Sequence, residues 1–280
     1  MTTSGSRPPS DALAFLGGGN MARGLVAALV ADGVPPDSIR VAEPVASLRE
    51  ALHRDFGVAV FDDNVLAVAG SGTWLFATKP HVLRDVCRAL APSAQVVRPL
   101  VVSIAAGVTT AQIADWLGSA LPIVRAMPNM AAMLGAGVTG LYANANVDPA
   151  GCRRAERLLS RSGEIVWLSD ETRMDAVTAV SGSGPAYVFL LAEAMFDAAR
   201  AQGLSHDTAH VLVRQTILGA ARMLSEDIAP AAHLRQRVSS PGGTTQAAVD
   251  VLESGGFRAL VERAIDAATV RGRELAAANG

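Results

Sequence analysis

The chain has 280 residues and a mass of 28.8 kDa, with 24 basic and 26 acidic side chains and a net charge of −2. Half of the residues are apolar and 18% are charged, which is the composition of a globular protein with enough apolar mass for one large domain or two ordinary ones. The near-neutral charge argues against a dedicated nucleic-acid binder, and the 4% aromatic content argues against base-stacking platforms.

The predicted elements alternate along the first half. Residues 11–16 form a short apolar run, followed at once by a Gly-rich turn and a helix over 21–31 with Leu25, Ala28 and Leu29 on one face. Strands are predicted over 39–42, 58–61, 73–78, 100–105, 122–127, 137–142 and 164–168. Helices are predicted over 47–56, 81–90, from a Thr109 cap through Leu117, and over 149–161. Strands such as TWLFAT and LVVSIA contain few polar residues, as expected of a mainly parallel sheet covered on both faces. From Glu171 onward only helices are predicted, over 174–180, 185–202, 205–225, 231–238, 245–254 and 257–278. The expected organisation is a tail (1–10), an α/β Rossmann-type domain (11–169) and an all-helical domain (170–280). The 185–201 helix is apolar on several sides and needs a cover, so the helical part is expected to form a dimer interface.

No apolar stretch reaches the roughly 18 residues of a membrane span, and the polar tail lacks an apolar signal core. Cys87 and Cys152 have no metal-ligand spacing and read as reduced thiols, with the cytoplasm as the expected location. His206 and His210 stand four apart on a predicted helix, where a solvated face is favoured over a metal site. Lys79 is the only lysine; every other cationic side chain is Arg.

Gly17-Gly18-Gly19-Asn20-Met21-Ala22 fits G-x-G-x-x-A between a strand and a helix, the context in which this pattern points to a dinucleotide. Gly17 permits the tight turn, Gly19 lets the backbone approach a pyrophosphate, and Ala22 allows close packing of helix on strand. The helix start offers free N–H groups and a partial positive charge to the phosphates. At the end of the second strand stands Glu43. An acid there can bond a ribose 2′-OH and repel a 2′-phosphate, which leans toward NAD over NADP; the other reading is that Glu43 faces solvent.

Seven segments then occur in order: GGGNMA (17–22), TKP (78–80), SIAAG (103–107), RAMPN (125–129), AVSGSGPAYVF (179–189), SSPGGTTQAAV (239–249) and VLESGGFR (251–258). Together they closely resemble the pyrroline-5-carboxylate reductase family, which catalyses the last step of proline synthesis. The resemblance implies an N-terminal Rossmann domain and a C-terminal helical domain that interlocks two subunits, often assembled into larger rings. It implies an active site between the cofactor domain of one subunit and helical segments near the dimer interface. It further implies that Gly17, Gly19, Asn20 and Met21 surround the pyrophosphate of NADPH or NADH and that Asn64 lies near the adenosine end. Thr78, Lys79, Pro80, Ala105, Ala106 and Gly107 would line the path to the nicotinamide. Ser240, Gly242, Gly243, Thr244 and Thr245 would hold the carboxylate and ring nitrogen of a cyclic imino acid.

The chemistry suits those residues. The cofactor brings the hydride, so the protein supplies position and electrostatics. Two glycines in SPGG let N–H groups converge on a carboxylate, the helix from about Thr244 adds its own donors, and the Thr245 hydroxyl can bond the ring nitrogen and relay a proton. Glu171, at the domain junction, is a further candidate near the substrate, and Ser181-Gly182-Ser183-Gly184-Pro185 is expected to shape the site through a helix start.

The sequence also departs from the family pattern. MPN continues with Met130-Ala131 instead of Thr-Pro, Glu43-Pro44 replaces the usual small polar residue, and 231–235 lacks the Gly-Glu-Leu-Lys-like stretch. Two alternatives compete with the reductase reading. A β-hydroxyacid dehydrogenase would carry a catalytic lysine in the helical domain, and no lysine follows Lys79. A non-catalytic dinucleotide sensor would not need the intact loop at 240–245.

Overall fold

The computed structural model describes residues 12–278; the predicted tail lies outside the described residues. Eight strands form one sheet: β1 (Leu13–Leu16), β2 (Ile39–Ala42), β3 (Ala59–Phe61), β4 (Thr73–Phe76), β5 (Leu100–Ser103), β6 (Ile123–Met127), β7 (Gly137–Ala143) and β8 (Gly163–Trp167). Their order is β3-β2-β1-β4-β5-β6-β7-β8, parallel throughout except for the β6/β7 pair. The first six follow the 3-2-1-4-5-6 order of dinucleotide-binding sheets.

Strand alternation divides the core into two layers. Phe15, Val41 and Leu75 point to one face, where they meet Leu25, Val26 and Leu29 of α1 (Asn20–Ala31). Ala14, Leu16, Trp74 and Phe76 point to the other, against Leu83, Cys87 and Leu90 of α4 (Pro80–Val97) and Ile113 and Leu117 of α5 (Thr110–Leu117). Between α1 and α4 come α2 (Ala46–Phe56) and α3 (Asn64–Val68). The predicted Thr109 cap is a full capping box: Thr109 Oγ1 accepts from the Gln112 N–H, and Gln112 Oε1 accepts from the Thr109 N–H. Helix α6 (Pro149–Leu159) joins β7 to β8.

Two helices differ from expectation. The short α3 has no counterpart among the predicted elements; Asp63 caps it by accepting from the N–H groups of Val65 and Leu66. Helix α4 continues past Leu90 through Pro92 to Val97. Proline forfeits one helical hydrogen bond, and the buried Leu83, Val86, Cys87, Leu90 and Ala94 on one face hold the helix together on either side of it.

After β8 the chain is helical, as expected: α7 (Met174–Val177), α8 (Gly184–Ala201), α9 (His206–Glu226), α10 (Ala231–Arg237), α11 (Thr244–Ser254) and α12 (Phe257–Ala278). The AVSGSG segment contains a π-helical turn at Thr178–Gly182, in which the Ser183 N–H reaches the Thr178 carbonyl at 2.8 Å. The chain divides into two compact units. One contains the sheet up to Ser183 together with residues from Ala268 on, and the other spans Gly184–Ala267.

The helical stretch Glu171–Ala201 is long and apolar enough to cross a membrane, which corrects the sequence expectation; 6% of its most apolar window is buried within the chain. Asp175 and Glu193 bound the uncharged run when it is read as sequence, whereas the helical stretch extends beyond both. Phe189, Leu190 and Leu191 lie exposed on it.

Candidate functional site

Parallel pairing brings the carboxyl ends of six strands to one edge, in the row Phe61, Ala42, Leu16, Phe76, Ser103 and Arg125. In open α/β sheets ligands bind outside this edge, at the point where the strand order reverses, here between β1 and β4. Gly17 leaves β1 with φ +102°, a conformation that L side chains rarely adopt, and a Cβ there would lie 2.8 Å from the Ala77 carbonyl oxygen. The Gly17 N–H bonds the Ala42 carbonyl and the Ala77 N–H bonds the Leu16 carbonyl, both at 2.8 Å, so the turn is fastened to both neighbouring strands. Gly19 is the N-cap of α1, with no side chain capping the helix, and a Cβ on it would meet nothing within 4 Å. Asn20 is exposed and Met21 half-buried at the same helix start, while Ala22 is buried against the sheet.

The other predicted cofactor residues reach the same edge. Asn64 opens α3, just after β3. Thr78 follows β4, with its backbone nitrogen beside Gly17. Lys79, exposed, is the N-cap of α4, and Pro80 is that helix's first residue, where a missing N–H costs nothing. Ala105, Ala106 and Gly107 (φ +70°) form the turn between β5 and the Thr109 cap, and the Ala105 N–H donates to Ser103 Oγ at 3.3 Å. The Thr78 hydroxyl is buried and meets no hydrogen-bond partner among the described residues. A buried orphan hydroxyl carries a desolvation cost that a polar ligand relieves. Together with the open, uncapped start of α1, it makes this edge fit a dinucleotide. Gly17, Gly19, Asn20 and Met21 would hold its pyrophosphate, and Thr78 a polar group toward the nicotinamide side.

Of the two readings of Glu43, the solvent-facing one is overturned: the side chain is buried. The residue is 7% exposed and its carboxylate turns under the Gly-rich turn: Oε2 accepts from the Gly18 N–H at 2.8 Å and Oε1 from the Val45 N–H at 3.0 Å.

Glu171 is held inside the sheet-containing unit. Its carboxylate accepts from the N–H and the hydroxyl of Thr110, each at 2.8 Å, at the start of α5. It also faces Arg125, whose guanidinium lies 3.4 Å from Glu171 and 3.7 Å from Asp175. Sequence reading missed this buried cluster; the single charge inside the apolar strand IVRAM was its available signal. The RAMPN and VSGSG motifs also meet: Asn129 Nδ2 donates to the Ser181 carbonyl at 3.1 Å, and a Cβ on Gly182 would lie 2.6 Å from the Met127 methyl carbon. Asn129 therefore hooks the π-helical turn to the strand end.

In the helical unit, Ser240-Pro241-Gly242-Gly243 folds as a tight turn. The Gly243 N–H bonds the Ser240 carbonyl at 2.9 Å, Pro241 sits at the second position and Gly242 has φ +71°, the pattern of a type II turn. The Gly243 amide is thus used within the turn, so the donors offered outward are those of Thr244, Thr245 and Gln246. They open α11, where no side-chain cap serves them. Ser240 and Thr244 are exposed and Thr245 is half-buried. Beyond the turn, Glu253 at the far end of α11 is gripped by Arg235 at 2.6 Å and Arg258 at 2.7 Å. These cations, Arg258 first, hold its carboxyl below the usual range. Nothing in the sequence pattern pointed to Arg235 as its partner.

Comparison with known proteins agrees with this arrangement. The family profile described as "Pyrroline-5-carboxylate reductase dimerisation" matches residues 171–275, and that described as "NADP oxidoreductase coenzyme F420-dependent" matches 12–107. A pyrroline-5-carboxylate reductase of Pseudomonas aeruginosa is 49% identical, over 94% of this chain and 96% of its own. The structure of a pyrroline-5-carboxylate reductase from Coxiella burnetii superposes with a TM-score of 0.90 at 43% identity, covering 95% of this chain and 98% of the other. A Plasmodium falciparum pyrroline carboxylate reductase with NADP bound gives 0.84 at 26% identity, covering 96% and 99%. The apolar stretch Glu171–Ala201 lies within the region matched as a dimerisation domain. With relatives of this identity aligned along nearly its full length, the chain belongs to the pyrroline-5-carboxylate reductase family.

Proposed function

We propose that this chain reduces the C=N bond of 1-pyrroline-5-carboxylate with NADPH or NADH, giving L-proline. The observation that carries the reading is the 49% identity to a reductase of that name over 94% of the chain. The nicotinamide, when bound, supplies the hydride to the imine carbon. The chain's own residues position and polarise the substrate. In this reading, the N–H groups of Thr244, Thr245 and Gln246 receive the substrate carboxylate at the positive end of α11. The turn from Ser240 to Gly243 fixes the entry to that helix start. The Thr245 hydroxyl, able both to donate and to accept, bonds the ring nitrogen and passes it a proton from water. A protonated imine is already electrophilic, so the site needs no strong acid. Thr78, Lys79, Pro80, Ala105, Ala106 and Gly107 line the nicotinamide end, Asn64 serves the adenosine end, and Glu171 acts through the α5 start that it holds.

The proposed assembly is a homodimer, with a ring of dimers as its larger form. A second copy of the chain would cover the apolar helical faces, including Phe189 to Leu191. We assign no role to nucleic acid or membrane, and place the enzyme in the cytoplasm, a reading supported by the two free cysteines. The test is the loss of reduced-nicotinamide absorbance when purified protein meets racemic pyrroline-5-carboxylate. Turnover with at least one cofactor is expected. Inertness with both, in protein of native circular dichroism, would reject the reading.

A further inference from the structure

We infer that Glu43 makes this chain prefer NADH to NADPH. The inference rests on the reading that the Gly17–Ala22 turn binds the dinucleotide. Glu43 is the first residue after β2, at the carboxyl edge where the adenine ribose of a dinucleotide lies in this fold. The geometry fixes the carboxylate there. Its two oxygens accept from Gly18 and Val45, and Gly18 packs so closely that a Cβ on it would lie 3.0 Å from Glu43 Cβ. The acid is therefore part of the turn and cannot swing away without breaking two main-chain hydrogen bonds. Each carboxylate oxygen keeps a further lone pair for a ribose hydroxyl. A 2′-phosphate would instead set a second anion beside a carboxylate that is largely withdrawn from water, where repulsion is weakly screened. The nearby Arg49 spends its Nη1 on the main chain, donating to the carbonyl oxygens of Glu43, at 2.6 Å, and Pro44, at 2.8 Å.

The test is equilibrium binding of NADH and NADPH to the full-length protein without substrate, followed by nicotinamide fluorescence. The unaltered protein should bind NADH at least about tenfold more tightly than NADPH. Glu43→Gln removes the charge, and Glu43→Ser also removes the reach; in both, the two dissociation constants should come within about threefold, with NADPH binding improved. NADPH binding as tight as NADH in the unaltered protein, or a ratio unmoved in both variants, overturns the inference. The ratio in the unaltered protein is decisive even where a variant folds poorly. Turnover of pyrroline-5-carboxylate, measured beside the titrations, keeps the two readings apart: an active enzyme without NADH preference fails only the assignment of Glu43.

Discussion

Replacing Arg125 with methionine tests the charge cluster under β6. The Arg125 side chain is 5% exposed, and the Glu171 and Asp175 side chains that face it are 18% and 15% exposed. Removing one partner of a buried ion pair costs about 3–5 kcal/mol, because the remaining charge stays desolvated without compensation. Two features pull this case toward the lower end. Both carboxylates keep some contact with water, and Glu171 retains the two hydrogen bonds from Thr110. One feature pulls upward, since a single substitution strands two carboxylates. The expected loss is about 3 kcal/mol. Methionine keeps much of the apolar stem, so the loss reports charge more than volume. Urea unfolding measures it, at one fixed protein concentration, because self-association would otherwise move the midpoint. Combining Arg125→Met with Glu171→Gln should give a coupling of at least about 1 kcal/mol. A single-variant loss below about 1 kcal/mol, or strict additivity, would refute the reasoning.

Gly17→Ala should destabilise the chain by about 2 kcal/mol through its φ of +102° and the close Ala77 carbonyl, and should weaken nucleotide binding as well; thermal melting and fluorescence titration check both, and a parent-like melt contradicts the turn geometry. Thr245→Ala should lower the rate of the chemical step on the order of a hundredfold while leaving cofactor affinity nearly unchanged; single-turnover kinetics beside a binding titration separates the two, and an unchanged rate removes Thr245 from the mechanism. Burial pushes the Cys87 thiol up to about 12, so at mildly alkaline pH it should resist a thiol reagent in the folded protein and react once urea is added. The Glu253 carboxyl is held below its ordinary value of 4.5, by Arg258 first and then Arg235. A lowered folded value contributes stability above the unfolded one and loses it as pH falls. Glu253→Gln should therefore weaken the protein near neutrality and shrink its difference from the parent in acid, as compared by acid unfolding curves.

Much of the architecture was legible because local and global signals agree. β2 lies where Ile39 to Ala42 predict it, and Phe257 to Ala278 form the helix expected of them. Thr109 with Gln112 announces a helix start that the fold uses. What escaped reading depends on neighbours distant in sequence. Pro92 reads as a stop, yet packing on both sides carries the helix through it. The π-helical turn combines local bonds, Thr178 Oγ1 to the Met174 carbonyl and Ser181 Oγ to the Val177 carbonyl, with a bond from Asn129, some fifty positions away, that local sequence does not announce. Glu43 was open to two readings, a surface acid or a ribose ligand, and its burial removes the first. Only the pairing of β2 with β1 reveals that Gly18 lies above it. In SPGGTT the glycines pointed to N–H groups converging on an anion, yet the Gly243 amide is used within the turn, an internal bond that residue types alone do not disclose.

Lys79 gives the molecule a built-in chemical handle. A chain of 280 residues with one lysine offers an acylating reagent a single ε-amine, here exposed at the cap of α4 next to the glycine turn. Apart from the α-amino group, an activated ester has no other aliphatic amine to attack. The kinetics of such labelling therefore monitor one address on the molecule, and anything that seats itself along that edge will slow them.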